Sequence, residues 1–174
     1  MLLTDDTLEL RALEPEDDGA VMAILEHPAV VGSLFSFPAK AATMGFELWR
    51  RASILRRNDF YFAVTERATR KTVGICAYQD IDYRNGRATL WAALSPEFEE
   101  DEKVIKLLAQ TAFDHLRLEH LALLCLSGDV RTIAVASKAG FKRDSIFYSR
   151  VKKNDKRYDL LIYTLLKGEG GDML

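Results

Sequence analysis

Residues 71–97 read KTVGICAYQDIDYRNGRATLWAALSPE. Two apolar, β-rich runs, 72–78 and 88–94, flank a polar stretch containing Asn85-Gly86. That pair favours positive φ and reads as a hairpin turn at 83–87. Pro96 closes the second run. Upstream, 60–65 is aromatic and β-rich, and 67–71 is a polar turn. Three consecutive antiparallel strands are therefore expected here.

The flanks decide what the meander packs against. Residues 99–118 predict a helix, with Val104, Leu107, Leu108, Ala112 and Leu116 in one apolar stripe and acids at its start. The run 121–126 suits a strand buried on both faces. Asp129 suits the N-cap of a helix over 130–139, which Gly140 stops. Strands at 145–151 and 158–166 enclose a basic turn, 152–157. Toward the N-terminus, 7–13 alternates Leu8, Leu10 and Ala12 with Thr7, Glu9 and Arg11, the period of a half-buried strand. Pro15 opens a helix with acids at Glu16, Asp17 and Asp18 and an apolar face of Val21, Ile24 and Leu25; Pro28 closes it. After Pro38 a longer helical pattern runs through Phe46, Trp49, Ala52, Ile54 and Leu55, with Arg50, Arg51, Arg56 and Arg57 on its other side. The expected order is β-α-α-β-β-β-α-β-α-β-β, an α/β fold with a mixed sheet flanked by helices. One domain over 1–167 and a flexible, Gly- and acid-rich tail over 168–174 complete the expectation.

Composition narrows the function. The chain has 174 residues, enough for one ordinary domain with its own core. Hydrophobic residues are 48% and charged residues 29%, the mixture of a soluble globular protein. A net charge of -2 argues against a dedicated nucleic-acid binder. Cys76 and Cys125 lie in apolar runs and read as two buried thiols rather than a disulfide. With only His27, His115 and His120 besides, no metal site is expected. No run reaches membrane-spanning length, and residues 1–6 lack a secretory signal pattern, so a cytoplasmic domain is expected.

Several motifs resemble the GNAT acyltransferase superfamily, and most closely its RimJ/RimL-like branch of ribosomal-protein N-acetyltransferases. LELRALEPEDD (8–18) is similar to the branch's first strand and helix start. The stretch 71–97 is similar to its central meander, with Gly74-Ile75 at a family Gly-Ile pair. LLAQTAFDHLRLEHL (107–121) resembles its main helix, and DVRTIAVASKAGFKRD (129–144) its N-x-x-S…K-x-G-F helix and turn. Asp159 stands where the branch often has an acid. The resemblance implies acyl transfer from acetyl-CoA to a primary amine of a small molecule or a protein N-terminus. It places the donor where the strands at 88–94 and 121–126 splay apart, with its pyrophosphate on the loop opening the main helix.

That loop departs from the family's Q/R-x-x-G-x-G/A. Pro96–Lys103 has no glycine and five acids, with Glu97 and Glu99 at the glycine positions. A like-charge pair at 4 Å costs about 1 kcal/mol in water and about 4 at an effective dielectric of 20. The acids therefore oppose a pyrophosphate, and Lys103 offsets one of them at best. By resemblance the donor site takes in Leu94, Phe98, Lys103, Asp129 and Thr132. Thr132 stands at the position of the Ser often assigned near the leaving thiolate; it also suits an ordinary first-turn residue, and Asp129 an N-cap. The fourth strand carries no acid, having Thr89 and Trp91 at the relevant places. Asp80 is a candidate base and Asp82 an acceptor-pocket residue, although both suit a polar hairpin end. Tyr148 is a further strand-borne catalytic candidate. Phe35, Phe37 and Trp49 are candidates for the acceptor pocket, and for the core.

Two other readings remain open. One is a GNAT-fold binding or regulatory module without CoA-dependent catalysis, in which side chains would plug the splay. The other is a transferase with a different donor, aminoacyl-tRNA or a carrier-protein thioester, reached over a continuous basic surface. The arginines at 50–57 and the cluster Lys152, Lys153, Lys156 and Arg157 read either as solvated surface or as a site for an anionic partner. A monomer or a homodimer is expected.

Overall fold

The meander is present and longer than expected. The computed structural model describes residues 1–35 and 45–169. Its strands are β1 (Leu3–Thr4), β2 (Leu8–Ala12), β3 (Phe60–Glu66), β4 (Thr72–Asp82), β5 (Arg87–Leu94), β6 (His120–Leu126), β7 (Lys142–Lys153) and β8 (Lys156–Leu166). They form one sheet in the order β1-β2-β3-β4-β5-β6-β8-β7, and only the β5–β6 contact is parallel. β4 continues past Tyr78 because a bulge with Asp80 at φ 51 re-aims it, and pairing resumes at Asp82↔Arg87. The short β1 was not anticipated; two residues carry too little periodicity to be seen.

Helices cover both faces. After a 3-10 turn at Pro15–Asp17, α1 (Asp18–Leu25) and a single turn, α2 (Pro28–Val31), precede α3 (Phe46–Ser53). These pack on one face with Tyr61, Ala63, Ile75, Ala77, Trp91 and Ala93. The longer α4 (Asp101–Asp114) and α5 (Val130–Lys138) belong to the other face, with Phe62, Cys76, Tyr78, Leu90 and Leu123. Residues 75–78 thus alternate strictly between two covered faces, which is why the strands read as almost continuously apolar. On α4 the buried stripe is Val104, Ile105, Leu108, Ala109, Thr111, Ala112 and Phe113. The Tyr78 hydroxyl crosses to this helix and donates to the Leu108 carbonyl at 2.6 Å.

Three expectations need correction. The helix after Pro38 ends at Ser53, and Ile54 and Leu55 are exposed, 74% and 83%, rather than on its apolar face. The main helix ends at Asp114, because Arg117 turns at φ 56 and Leu118 returns its N–H to the Ala112 carbonyl. His115 is therefore exposed at the helix end. In β6 the burial alternates, with Ala122 and Leu124 only partly covered. The expected tail is described only as far as Glu169. Among the described residues no helix is long and apolar enough to cross a membrane.

Candidate functional site

β5 and β6 pair over only four positions, from Arg87↔His120 to Leu90↔Leu123. Both strands then continue, to Leu94 and Leu126, without pairing to each other. β4 holds β5 through Leu94, and β8 holds β6 through Leu126, so each strand stays paired on its own side of the gap. The close β4–β5 approach requires Gly74. A Cβ there would lie 2.5 Å from Leu94 Cδ2 and 2.6 Å from the Ala93 carbonyl oxygen. The parted edges leave a narrow cleft of about 90 Å³ between them. Leu90–Leu94 line one side; Leu123, Leu124, Asp129, Arg131, Thr132 and Val135 line the other. Ala29, Val30, Ser33, Leu34 and Phe35 line it from one face of the sheet, and Asp101 and Ile105 from the other.

The α5 end of the cleft is capped. Asp129 Oδ1 accepts from the Thr132 N–H at 3.0 Å, which fixes the first turn of α5. That turn presents Thr132 and Arg131 to the cleft. Arg131 crosses to the start of α4. Its Nε and Nη2 donate to the two Asp101 carboxylate oxygens at 2.6 and 2.7 Å. Nη2 also donates to the Ser95 and Phe98 carbonyls, at 3.0 and 2.7 Å. Among the described lining residues, Asp101, Asp129 and Arg131 are the ionisable ones.

The loop before α4 is less negative than its acids suggest. Glu100 is bonded by Lys103, Glu102 pairs with Lys106 at 2.5 Å, and Asp101 is held by Arg131. Glu97 and Glu99, at the expected glycine positions, are exposed. Lys103 offsets one acid, as expected from sequence; Lys106 and Arg131 are partners that acid counting within 96–103 did not include. Glu100 gives the α4 N-terminus no side-chain cap. Of the groups at this mouth the Arg131 guanidinium fits an anionic group, in the place that the Asp101 carboxylate takes here.

The candidates divide clearly. Leu94, Asp129, Thr132 and Phe35 line the cleft. Phe98 is buried in the main core, and only its carbonyl is turned to Arg131. Lys103 is committed to Glu100 and Thr7 on the outer side of the loop. Trp49 is core: it lies 5.2 Å from Phe46 and 4.8 Å, edge-on, from Tyr61. Asp80 and Asp82 sit beside the 83–87 turn, at the start of β5, whereas the cleft opens at its far end. The structure does not bring them together with Thr132. Tyr148 is 76% exposed on the outer strand, in a bulge that Asp159 staples by accepting from the Ser149 N–H at 2.8 Å. Phe37 lies outside the described residues.

Arg131 was not singled out from sequence, although one signal was available. A cation in the first turn of a helix opposes the macrodipole, so it needs a partner from elsewhere. The basic clusters are largely engaged. Arg50 pairs with Asp18 at 2.7 Å, Arg51 with Glu47 at 2.7 Å and Arg56 with Asp59 at 2.9 Å. Lys153 Nζ donates to the carbonyls of Val31, Gly32 and Leu34, and Arg157 to that of Ser149. Cys76 and Cys125 are buried free thiols. Burial pushes both up, Cys125 to about 12 with a further contribution from the Asp129 charge, so neither is a nucleophile at neutral pH.

Residues 7–142 match the model of the acetyltransferase (GNAT) domain. The chain belongs to the GNAT family. Solved structures share this fold. A GCN5-related N-acetyltransferase from Brucella melitensis is 20% identical with a TM-score of 0.82, over 99% of this chain and 81% of that one. Spermidine N-acetyltransferase from Vibrio cholerae, in complex with CoA and spermine, is 18% identical with a TM-score of 0.83, over 95% and 98%. A Vibrio cholerae protein named as a candidate ribosomal-protein-serine acetyltransferase is 19% identical with a TM-score of 0.78, over 95% and 97%. No curated protein sequence matches the chain. In GNAT terms, the splay between β5 and β6 is the candidate active site.

Proposed function

We propose that this GNAT chain is an N-acetyltransferase of the RimJ/RimL-like kind, acting with acetyl-CoA on the primary amine of a small molecule or a protein N-terminus. One observation carries the reading: β5 and β6 part after Leu90↔Leu123 and leave an open cleft rather than a plugged seam. Acetyl-CoA, when bound, supplies an activated acyl group as a thioester. The chain's own residues orient it: the Leu94 end of β5 and the capped first turn of α5 form the walls. Backbone groups of the parted edges, beyond Leu90 and Leu123, supply donors and acceptors at the reacting centre. Thr132 lines the cleft, and its hydroxyl would supply a proton to the leaving thiolate. The described wall at Ala29–Phe35 is apolar with one hydroxyl, Ser33. A polyamine needs acids for its remote ammonium groups, so this wall favours a monoamine or an N-terminal amine.

A second reading, a GNAT-fold binding module, draws on one observation. Both carboxylates lining the cleft are committed, Asp129 to the cap and Asp101 to Arg131. The donor alternative of aminoacyl-tRNA draws little support, because the arginines of α3 are paired with acids.

Thermal unfolding with and without acetyl-CoA tests the donor. At a hundred times its Kd the ligand stabilises by about 2.7 kcal/mol, a rise of roughly 5–10 °C for this size. No rise at millimolar ligand overturns the acetyl-CoA reading. A rise without turnover on any amine leaves the binding module. Where turnover is found, Thr132→Val is expected to lower kcat by about 100-fold with little change in donor affinity.

A further inference from the structure

Arg131 is the cation among the described residues lining the cleft. Its side chain is 39% exposed, and that of its partner Asp101 is 13% exposed. The guanidinium is turned as a fork onto the Asp101 carboxylate. That geometry serves a carboxylate and a phosphate equally well. Its position is electrostatically unusual. It lies in the first turn of α5 and reaches the first turn of α4, so two helix N-termini and a cation meet at one mouth, together with the carboxylates of Asp129, Asp101 and Glu102. Asp101 is the anion that this field holds. Asp129, the other acid on the cleft, is used by the backbone of α5.

We infer that Arg131 is the residue that binds a donor phosphate, and that Asp101 is an internal occupant of its fork, displaced when a diphosphate arrives. The inference rests on the donor reading above. In a loop without glycine, backbone cannot wrap a phosphate closely, and a side-chain fork replaces that contact. Asp101 also raises the threshold for entry. A single weak anion has to compete with a covalently tethered carboxylate, whereas a pyrophosphate brings several oxyanions and can exchange for it. The two carbonyl contacts, Ser95 and Phe98, keep Arg131 seated at the mouth while its carboxylate partner changes.

The two members of the pair then have opposite effects on affinity, which a merely structural clip does not. The test is calorimetric titration of the wild type, Asp101→Asn, Arg131→Met and Arg131→Lys with CoA, inorganic pyrophosphate and pantetheine, the phosphate-free portion of CoA. Circular dichroism and urea unfolding report whether each variant is folded. Asp101→Asn is expected to tighten CoA and pyrophosphate about tenfold, and Arg131→Met to weaken both at least tenfold. Arg131→Lys falls between, and pantetheine responds to none of them. CoA binding to Asp101→Asn alone, with no binding to the wild type, overturns the donor reading and with it the inference. If Asp101→Asn and Arg131→Met weaken CoA alike, or shift pantetheine as much as CoA, the pair only shapes the loop and the inference is overturned. If the wild type binds CoA and Asp101→Asn binds it no better, the inference falls alone. If neither binds CoA, the donor reading falls with it.

Discussion

Asp17 is the acid whose surroundings say most about single-residue energetics here. It is 2% exposed and sits in the turn before α1. Arg11 donates to it twice, at 2.7 and 3.0 Å, Thr72 Oγ1 at 2.7 Å and the Glu14 N–H at 2.8 Å. Burial pushes its carboxyl up, but the hydrogen bonds from Arg11, Glu14 and Thr72 together with the Arg11 charge outweigh that and hold it below the ordinary carboxylate range. The sign for stability follows. The unfolded carboxyl titrates near about 3.9. The stabilisation is fully present above that value and is lost as pH falls through the lower folded value. Asp17→Asn is expected to cost about 2–3 kcal/mol at neutral pH. It should also flatten the acid limb of stability, read by urea unfolding between pH 7 and about pH 2.5. A variant as acid-sensitive as the wild type would remove Asp17 from this role. At this scale the sequence was only partly legible: it marked Asp17 as first-turn acid, a role the macrodipole explains, and not as a junction between β2, β4 and α1.

At the scale of elements, the β7–β8 hairpin carries a tether. Asn154 and Asp155 turn with φ of 49 and 61, and Lys153 beside them reaches the end of α2. Its ammonium donates to the carbonyls of Val31, Gly32 and Leu34, and burial lowers its pKa. A lysine at a helix C-terminus satisfies carbonyls that have no partner within the helix. This contact joins the β7–β8 edge of the sheet to a segment that lines the cleft. Lys153→Met is expected to cost about 2 kcal/mol, seen as a lower Tm. It should also raise KM for the acceptor while leaving CoA affinity unchanged. A fall in Tm with both affinities intact would confine the tether to stability. Sequence reading placed Lys153 in a basic turn, since nothing local connects it to residues more than a hundred positions earlier. The same limit applied to Tyr148 and Asp80. Each has a suitable side chain on a suitable strand, and the bulges at Phe147/Val151 and Gln79/Asp82 that aim them are set by cross-strand pairing.

At the scale of the whole molecule, four residue pairs between β5 and β6 join the β1–β5 half to the β6–β8 half, against seven residue pairs between β6 and β8. The remaining coherence comes from α4 and α5, packed against one another and against both halves, and from the Arg131–Asp101 bridge. A ligand lying in the splay contacts both halves and is expected to act as a cross-link. Native-state hydrogen exchange should show slower exchange for Leu124–Leu126 and Trp91–Leu94 when CoA is present, with β2 and β3 unchanged. Protection spread evenly over all strands would point to global stabilisation instead.

What the sequence alone determined here is local. Alternation and helical period placed the meander, the α4 stripe and the Asp129 cap, because burial of a face imposes its period on neighbouring residues. The GNAT resemblance followed from the order of those pieces. The tertiary structure alone decided which acids face which bases, where β5 and β6 part, and that Arg131 spans from α5 to α4. The Arg131–Asp101 and Arg50–Asp18 pairs and the β5–β6 contact join residues 30 or more positions apart, and their energies depend on distance in space and on burial, neither of which a residue's neighbours in sequence specify.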